Sequence, residues 1–350
     1  MRFRSDPPPG NEATWLLRPE SDNWNEGEID FPDGGLDGTM WDRLRCAGCR
    51  PHPTAADGSR GGRRRLIGWV AIYTWTRPTP PEDRVRPGSR GYEMIRHWQW
   101  IVDDRSGGVA VLTSRRQATT STVVVADGRA LVVDPAWDPD ELAGLAADLA
   151  AAEIEVVIGF ATHAHHDHLL WHPDLGPARR LAAPAVARSC ARHRDRIVAR
   201  LGPHWPADLG DLVGRVTGTA GQVLDWPGPT VRLLTHDAHS PGHTALWLPA
   251  RRALIAGDML SDVELPLLEE STSAAYAAGL ELLRPFVAQA SVLIPGHGGV
   301  ALGADAAQAR WWADRAYLDA LLAGADPADP RLANPGMAHA HADNLAAAGR

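Results

Sequence analysis

Residues 161–171 read ATHAHHDHLLW. Four histidines and one aspartate fall between His163 and His168. The stretch directly follows IEVVIGFA (154–161), an apolar run of strand length rich in β-branched residues. On a helix, His163 and His165 would face different sides. On a loop leaving a strand, side chains in the order H-x-H-x-D-H can converge on one spot. Imidazole nitrogen and carboxylate oxygen are the donors that zinc and similar divalent ions take. His163, His165, Asp167 and His168 are too close in sequence to fit comfortably around one ion. Two adjacent ions are the more natural occupants, provided further ligands arrive from elsewhere.

Outward from this loop the chain reads as alternating strands and helices. VAVLTS (109–114), STVVVAD (121–127) and RALVVD (129–134) have strand character, and the Asp-Gly between the last two signals a hairpin. DPDELAGLAADLAAAE (138–153) reads as a helix, with Leu142, Leu145, Ala146 and Leu149 at i, i+3, i+4 and i+7. Asp138 followed by Pro139 suits its N-terminus. Further helices are expected at about 184–200, 272–288 and 304–323, and strands at about 229–235, 244–249, 252–257 and 291–295. Such alternation indicates an α/β domain.

Three of these strands carry more candidate ligands at their ends. HSPGHTAL places His243 before a strand, LIAGDML places Asp258 after one, and LIPGHGG places His297 after another. Each lies beside glycine, which lets backbone approach closely and turn sharply. Strand ends of a packed α/β sandwich form one rim, so these loops can meet. His236 and His239 read as exposed loop histidines, and Tyr276 as a structural tyrosine rather than a substrate contact.

The series THAHHDH, SPGHT, AGD and PGHGG, in this order, resembles the metallo-β-lactamase superfamily over about residues 97–325. The resemblance implies a four-layer αβ/βα sandwich and a dinuclear hydrolase. Carried over residue by residue, it implies His163, His165 and His243 as ligands of a first metal. Asp167, His168 and His297 match those of a second, and Asp258 matches the bridging carboxylate. His166 falls at a variable position. Leu169, Leu170 and Trp171 follow where the family often has small residues, suggesting a bulky apolar wall near the metals. The implied cofactors are two divalent ions, zinc first, with iron or manganese as alternatives. A hydroxide shared by the ions would attack the substrate, with Asp258 fixing their spacing and Asp167 orienting the nucleophile. The expected substrate is a small ester, thioester or lactone.

The first 96 residues differ in character, being rich in Pro, Gly, Arg and Trp with poor hydrophobic periodicity. They are expected to be poorly structured. ATWLLRPESDNWNEGEIDFPDGGLDGT (13–39) resembles the active-site strand of family-16 glycoside hydrolases, with Glu28 as nucleophile, Asp30 as helper and Asp33 at the acid/base position. The third position in that family is Glu, so Asp33 is a departure, and the resemblance stops after Thr39. The segment is read as a remnant of a jelly roll. A carbohydrate-active protein, or a metal-binding protein without turnover, is the alternative reading. Cys46 and Cys49, near His52, lack a second pair and read as unpaired thiols rather than a zinc site. Residues 326–350, rich in Pro and Ala, are expected to form a loosely attached tail.

Composition narrows the class. A net charge of −8 argues against a nucleic-acid partner, which would favour a basic field. No apolar run reaches the roughly 20 residues of a membrane span, and MRFRSDPPPGNE has no secretory apolar stretch. With only three cysteines a disulfide framework is excluded. A cytoplasmic protein acting on a small molecule is expected, its oligomeric state left open.

Overall fold

The computed structural model describes residues 12–15, 73–76, 98–104 and 107–348. The chain divides into two units, Met1–Gly88 and Ser89–Arg350. In the first, β1 (Glu12–Trp15) pairs antiparallel with β2 (Tyr73–Thr76). The glycosidase-like positions Glu28, Asp30 and Asp33, and the pair Cys46 and Cys49, lie outside the described residues.

In the second unit, seven strands form one sheet in sequence order. They are β3 (Gln99–Asp104), β4 (Gly107–Thr113), β5 (Thr120–Ala126), β6 (Arg129–Val133), β7 (Glu155–Ala161), β8 (Arg179–Ala182) and β9 (Thr217–Gly218). Pairing is antiparallel from β3 to β6 and parallel from β6 to β9. A second sheet holds β10 (Arg232–His236), β11 (His243–Leu248), β12 (Ala253–Gly257), β13 (Val292–Pro295) and β14 (Ala301–Leu302). There β12 and β13 are parallel and the other pairs antiparallel. The principal helices are α1 (Pro139–Ala151), α2 (Pro184–Ala199), α3 (Ser273–Val287), α4 (Ala304–Leu322) and α5 (Pro335–Ala348).

Side-chain alternation builds the layers. Val124, Leu131, Val133, Ile158 and Phe160 of the larger sheet pack against Leu233, Leu246, Leu248, Ile255 and Ile294 of the smaller. Their neighbours Val123, Val125, Ala130 and Val132 turn outward beneath Leu145 and Leu149 of α1. Both faces of these strands are therefore covered, which is why their sequence is continuously apolar rather than alternating. Burying each such side chain contributes roughly 1.5–3 kcal/mol. On the far side, Leu254 and Leu293 lie under Leu280, Leu283, Trp311 and Tyr317 of α3 and α4. The result is the helix–sheet–sheet–helix sandwich the sequence implied.

Local chemistry explains the joints. Asp127 and Gly128 have φ of 47° and 75°, the two positive values a tight type I′ hairpin demands. At the start of α1, the Glu141 carboxylate reaches back to accept from Asp138 N–H at 3.1 Å, satisfying a donor the helix cannot.

Two expectations are corrected. The tail is anchored: Asn344 of α5 is buried, accepting from Leu268 N–H at 3.0 Å and donating to Pro266 O at 2.7 Å. Periodicity missed this because the docking of the segment combines buried polar side chains, Arg331 before α5 and Asn344 within it, with, among the described residues, only Leu332 and Met337 packed on the core. Leu169, Leu170 and Trp171 form no wall over the histidines. The two leucines pack with Ala182, Val186 and Cys190, and Trp171 joins the core beneath α1.

Parallel pairing decides where the site lies. The C-terminal ends of β6 and β7 share one edge, as do those of β12 and β13. β11 runs antiparallel to β12, so its first residue comes to the same edge. The two sheets are tied there by a bridge between Thr119 and His297 and by Thr120 N–H donating to Gly296 O at 2.7 Å.

Candidate metal centre

At this edge the loop after β7 brings His163, Asp167 and His168 into the interior, with His165 and His166 partly exposed at the rim. Asp258 follows β12 and His297 follows β13, and both are buried. Glycine makes the approach possible. A Cβ on Gly257 would stand 2.4 Å from His243 Nε2, and one on Gly296 would stand 2.0 Å from Asp258 Oδ1.

The potential ligand atoms fall into two main groups, His163, His165, His239 and Asp258 in one and Asp167, His168 and His297 in the other, with Asp258 facing both. In the first, Asp258 Oδ2 lies 3.2 Å from His163 Nε2 and 3.4 Å from His239 Nε2, and His239 Nε2 lies 3.1 Å from His165 Nδ1. In the second, His168 Nε2 lies 3.3 Å from Asp167 Oδ2, 3.2 Å from Asp258 Oδ1 and 3.3 Å from His297 Nε2. His297 Nε2 is in turn 3.3 Å from Asp167 Oδ2 and 3.4 Å from Asp258 Oδ2. Ligands about 2.0–2.1 Å from a tetrahedral ion stand about 3.3–3.4 Å apart, so these edges match a metal's coordination shell.

The outer nitrogens of the rings support the same reading. His168 Nδ1 donates to Asp134 Oδ2 at 3.0 Å, and His297 Nδ1 donates to Gln117 O at 3.0 Å. Both bonds put a proton on Nδ1 and leave the two Nε2 atoms facing each other, 3.3 Å apart. Asp134 also accepts from Thr162 N–H at 2.8 Å and from its hydroxyl at 2.6 Å. Thr162 Oγ1 lies 3.0 Å from His163 Nδ1. Meanwhile His163 Nε2, Asp258 Oδ1 and Glu264 Oε2 are buried without a hydrogen-bond partner. Orphaned buried lone pairs are costly, and a cation is the group that satisfies them. The donor set therefore fits divalent metal ions.

Electrostatics divides the two groups. Burial pushes the His165 and His243 imidazoles well below the usual range, and His239 down to about 3, so all three stay neutral. Burial acts the same way on His168, but the Asp258, Asp167 and Asp134 charges outweigh it and hold its pKa well above the ordinary imidazole value. His297 is likewise raised, burial being outweighed by Asp258 and Glu264. Burial opposes ionisation of Asp167 and Asp258, yet the facing histidines keep both carboxyls well below the usual range. Without a cation, protons on the second group occupy the place of positive charge.

A family model described as the metallo-beta-lactamase superfamily matches residues 115–297, more than half of the chain. The chain belongs to the metallo-β-lactamase superfamily. This is a superfamily of hydrolases that generally bind divalent metals, and the metallo-β-lactamase edge described above holds the His and Asp groups for such a site. Similar solved structures include a beta-lactamase domain protein from Burkholderia ambifaria, 18% identical over 70% of this chain and 78% of its own, with a TM-score of 0.48. The sec-alkylsulfatase Pisa1 from Pseudomonas sp. is 14% identical over 61% of this chain and 41% of its own, with a TM-score of 0.47. A metallo-beta-lactamase from Pontibacter korlensis is 13% identical over 61% and 96%, with a TM-score of 0.46. No curated protein matches the chain.

Six of the seven sequence-predicted residues, His163, His165, Asp167, His168, Asp258 and His297, meet at this metallo-β-lactamase site. His243 is outside these groups of ligand atoms. Its Nε2 accepts the Asp258 backbone N–H at 3.1 Å, so it supports the carboxylate from behind. The group at the first site is completed by His239, which the sequence reading left as an exposed loop residue and which is buried. HDAHSPGH offers several imidazoles, and the turn chooses among them. His239 itself has φ of 63°, a left-handed conformation that periodicity does not encode. His236 is also enclosed, stacked 4.8 Å from His243 and lowered by burial to about 4. Sequence reasoning also missed Asp134 and Glu264. Asp134 ends a predicted strand, a position that could have marked it. Burial, with the Asp258 and Asp167 charges, pushes the Glu264 carboxyl up to about 8. Tyr276 is structural: it is buried, and its hydroxyl reaches Asp314 Oδ2 at 3.3 Å.

Proposed function

We propose that this chain is a dinuclear metal-dependent hydrolase of a small ester, thioester or lactone. His163, His165, His239 and Asp258 would hold one ion, and Asp167, His168, His297 and Asp258 the other. The observation that supports this reading is two adjacent groups of ligand atoms, one containing Asp258 and the other facing it, with contacts of 3.1–3.4 Å. Divalent cations held there would supply a water of lowered pKa, toward about 7, and a Lewis acid for the scissile bond.

The chain's own residues do the rest. Asp258 fixes the spacing of the two groups by presenting Oδ1 to His168 and Oδ2 to His163 and His297. His243 holds that carboxylate in place through the backbone of Asp258. Asp167 turns Oδ2 inward, while its Oδ1 faces His166 Nδ1 at 3.5 Å. A proton taken at that carboxylate therefore has an exit toward the rim. Trp137, in edge contact with His166 at 5.1 Å, borders the same opening. Substrate would enter past His165, His166 and Glu270, the partly exposed side of the cluster. Zinc, iron and manganese all suit this mixture of nitrogen and carboxylate donors. Among the described residues no helix is long and apolar enough to cross a membrane. A reducing cytoplasm suits the free, buried thiol of Cys190.

The test pairs elemental analysis of the purified full chain with a panel of small esters, thioesters and lactones. Two ions per chain, with turnover lost to chelator and restored by metal, is the expected result. A metal-loaded protein that cleaves none of the panel would reject the substrate class. Failure to load any ion would reject the whole reading.

A further inference from the structure

Glu264 lies outside the shared-carboxylate shells yet belongs to a third group of ligand atoms. Asp258, Glu264 and His297 each offer an atom within 4.8 Å of the others. Glu264 Oε2 is shut off from solvent and has no hydrogen-bond partner, although the residue as a whole is partly exposed. A carboxylate oxygen without a donor is expensive to bury. Its neighbours here include two further carboxylates, Asp258 and Asp167.

The nearby cations do not account for it. Arg331 Nη1 donates to the backbone oxygen of Glu264 at 2.9 Å, not to its carboxylate, and the rest of that guanidinium serves Asp314 and Asp329. Arg310 pairs with Asp262 at 2.9 Å. The backbone is meanwhile fixed at both ends. Glu264 N–H donates to Ser261 Oγ at 3.0 Å, and that hydroxyl donates to His297 O at 2.7 Å. The loop thus clamps Glu264 to the residue whose imidazole serves the second group, while its oxygen goes unused.

We infer that Glu264 is an additional oxygen ligand of the ion that His297 and Asp258 face. The inference rests on the dinuclear reading above. Ligands on opposite sides of one ion stand at most about 4.4 Å apart for bonds near 2.2 Å. The Glu264 oxygen is within 4.8 Å of the Asp258 and His297 ligand atoms, and a rotation of its side chain would bring it closer to the ion they face. A third carboxylate shifts this site toward cations that prefer oxygen, manganese(II) ahead of zinc relative to the histidine-rich first site.

The experiment uses the full chain stripped by chelator and titrated calorimetrically with Mn2+ and, separately, Zn2+. Wild type is compared with Glu264→Gln, which keeps the shape, and with Glu264→Ala. Expected is a second-ion Mn2+ affinity at least about tenfold weaker in both variants, a smaller loss for Zn2+, and first-ion affinity within about threefold of wild type. The metal-free variants should melt no lower than wild type, since a buried carboxyl has been removed. Two Mn2+ ions bound by Glu264→Gln with wild-type affinity would overturn the inference and leave the dinuclear reading standing. Uptake of only one ion by wild type would remove both.

Discussion

Exchanging the roles of His239 and His243 gives the sharpest test of the geometry. Four-ligand zinc sites bind with an apparent 10–16 kcal/mol, so one ligand in four is worth about 2.5–4 kcal/mol, or roughly 10²–10³ in affinity. His239→Ala removes an atom 3.4 Å from Asp258 Oδ2 and 3.1 Å from His165 Nδ1. It should weaken the first ion by about that factor. Its Nδ1 has no partner, so no hydrogen bond outside the ligand cluster is lost with it. His243→Ala does the reverse. It strips the acceptor from the buried Asp258 N–H and leaves a donor unsatisfied, costing about 1–3 kcal/mol of metal-free stability. For a domain of this size that is a fall of roughly 2–12 °C in Tm. The assay is a competition titration against a chromophoric chelator, run beside thermal melts of the stripped protein. Should His243→Ala lose the tight first ion while His239→Ala keeps it, the assignment drawn from these distances is wrong.

Three other outcomes follow. Asp134→Asn removes the charge that accepts from Thr162 and His168. Chelator competition should show metal affinity reduced about 10–100-fold without loss of any ligand. Metal loading should depend on pH, because burial at His168 and His297 is outweighed by facing carboxylates and both pKa values are raised. Stability they give the metal-free fold is full below the ordinary imidazole pKa and fades as pH rises through their raised values, so cations compete better at higher pH. Calorimetry in buffers of different ionisation enthalpy should detect proton release on binding, and pH-independent affinity would contradict the idea. Arg331→Leu leaves buried Asp314 without its 2.6 Å partner and frees the Ser261 and Glu264 carbonyls. It should cost about 3–5 kcal/mol by chemical denaturation.

How far the sequence could be read depended on whether a residue's place follows from a period or from a turn. β5 and β6 announce themselves because both faces are buried and every position can be apolar. Helix α1 shows its stripe, and Leu142, Leu145, Ala146 and Leu149 are its buried residues. The ligands at strand ends were legible for a related reason: an apolar strand that stops at Gly-Asp or Gly-His projects that residue from the sheet edge. His239 lies in a loop between antiparallel strands, where a left-handed residue sets the direction. β8, β9 and β14 have only two to four residues and carry no period. The docking of α5 and the turn before it runs through Asn344 and Arg331, polar residues that read as surface until their partners Tyr317, Pro266 and Asp314 are in view.

Charge balance joins these observations. Asp134, Asp167, Asp258 and Glu264 bring four carboxyl groups to one largely solvent-free edge. The guanidinium groups beside Glu264 and Asp262 are engaged elsewhere, Arg331 with Asp314 and Asp329 and Arg310 with Asp262. Buried charge of one sign is not tolerated without compensation. Metal-free, the protein meets that demand by protonating His168 and His297 and by raising the Glu264 carboxyl. The two divalent cations proposed above would supply four positive charges against the four carboxylates, and each proton would then be free to leave. A chain that needed only a stable fold could have filled this edge with leucine. Building it from acids and imidazoles is a cost that the proposed binding of cations would offset.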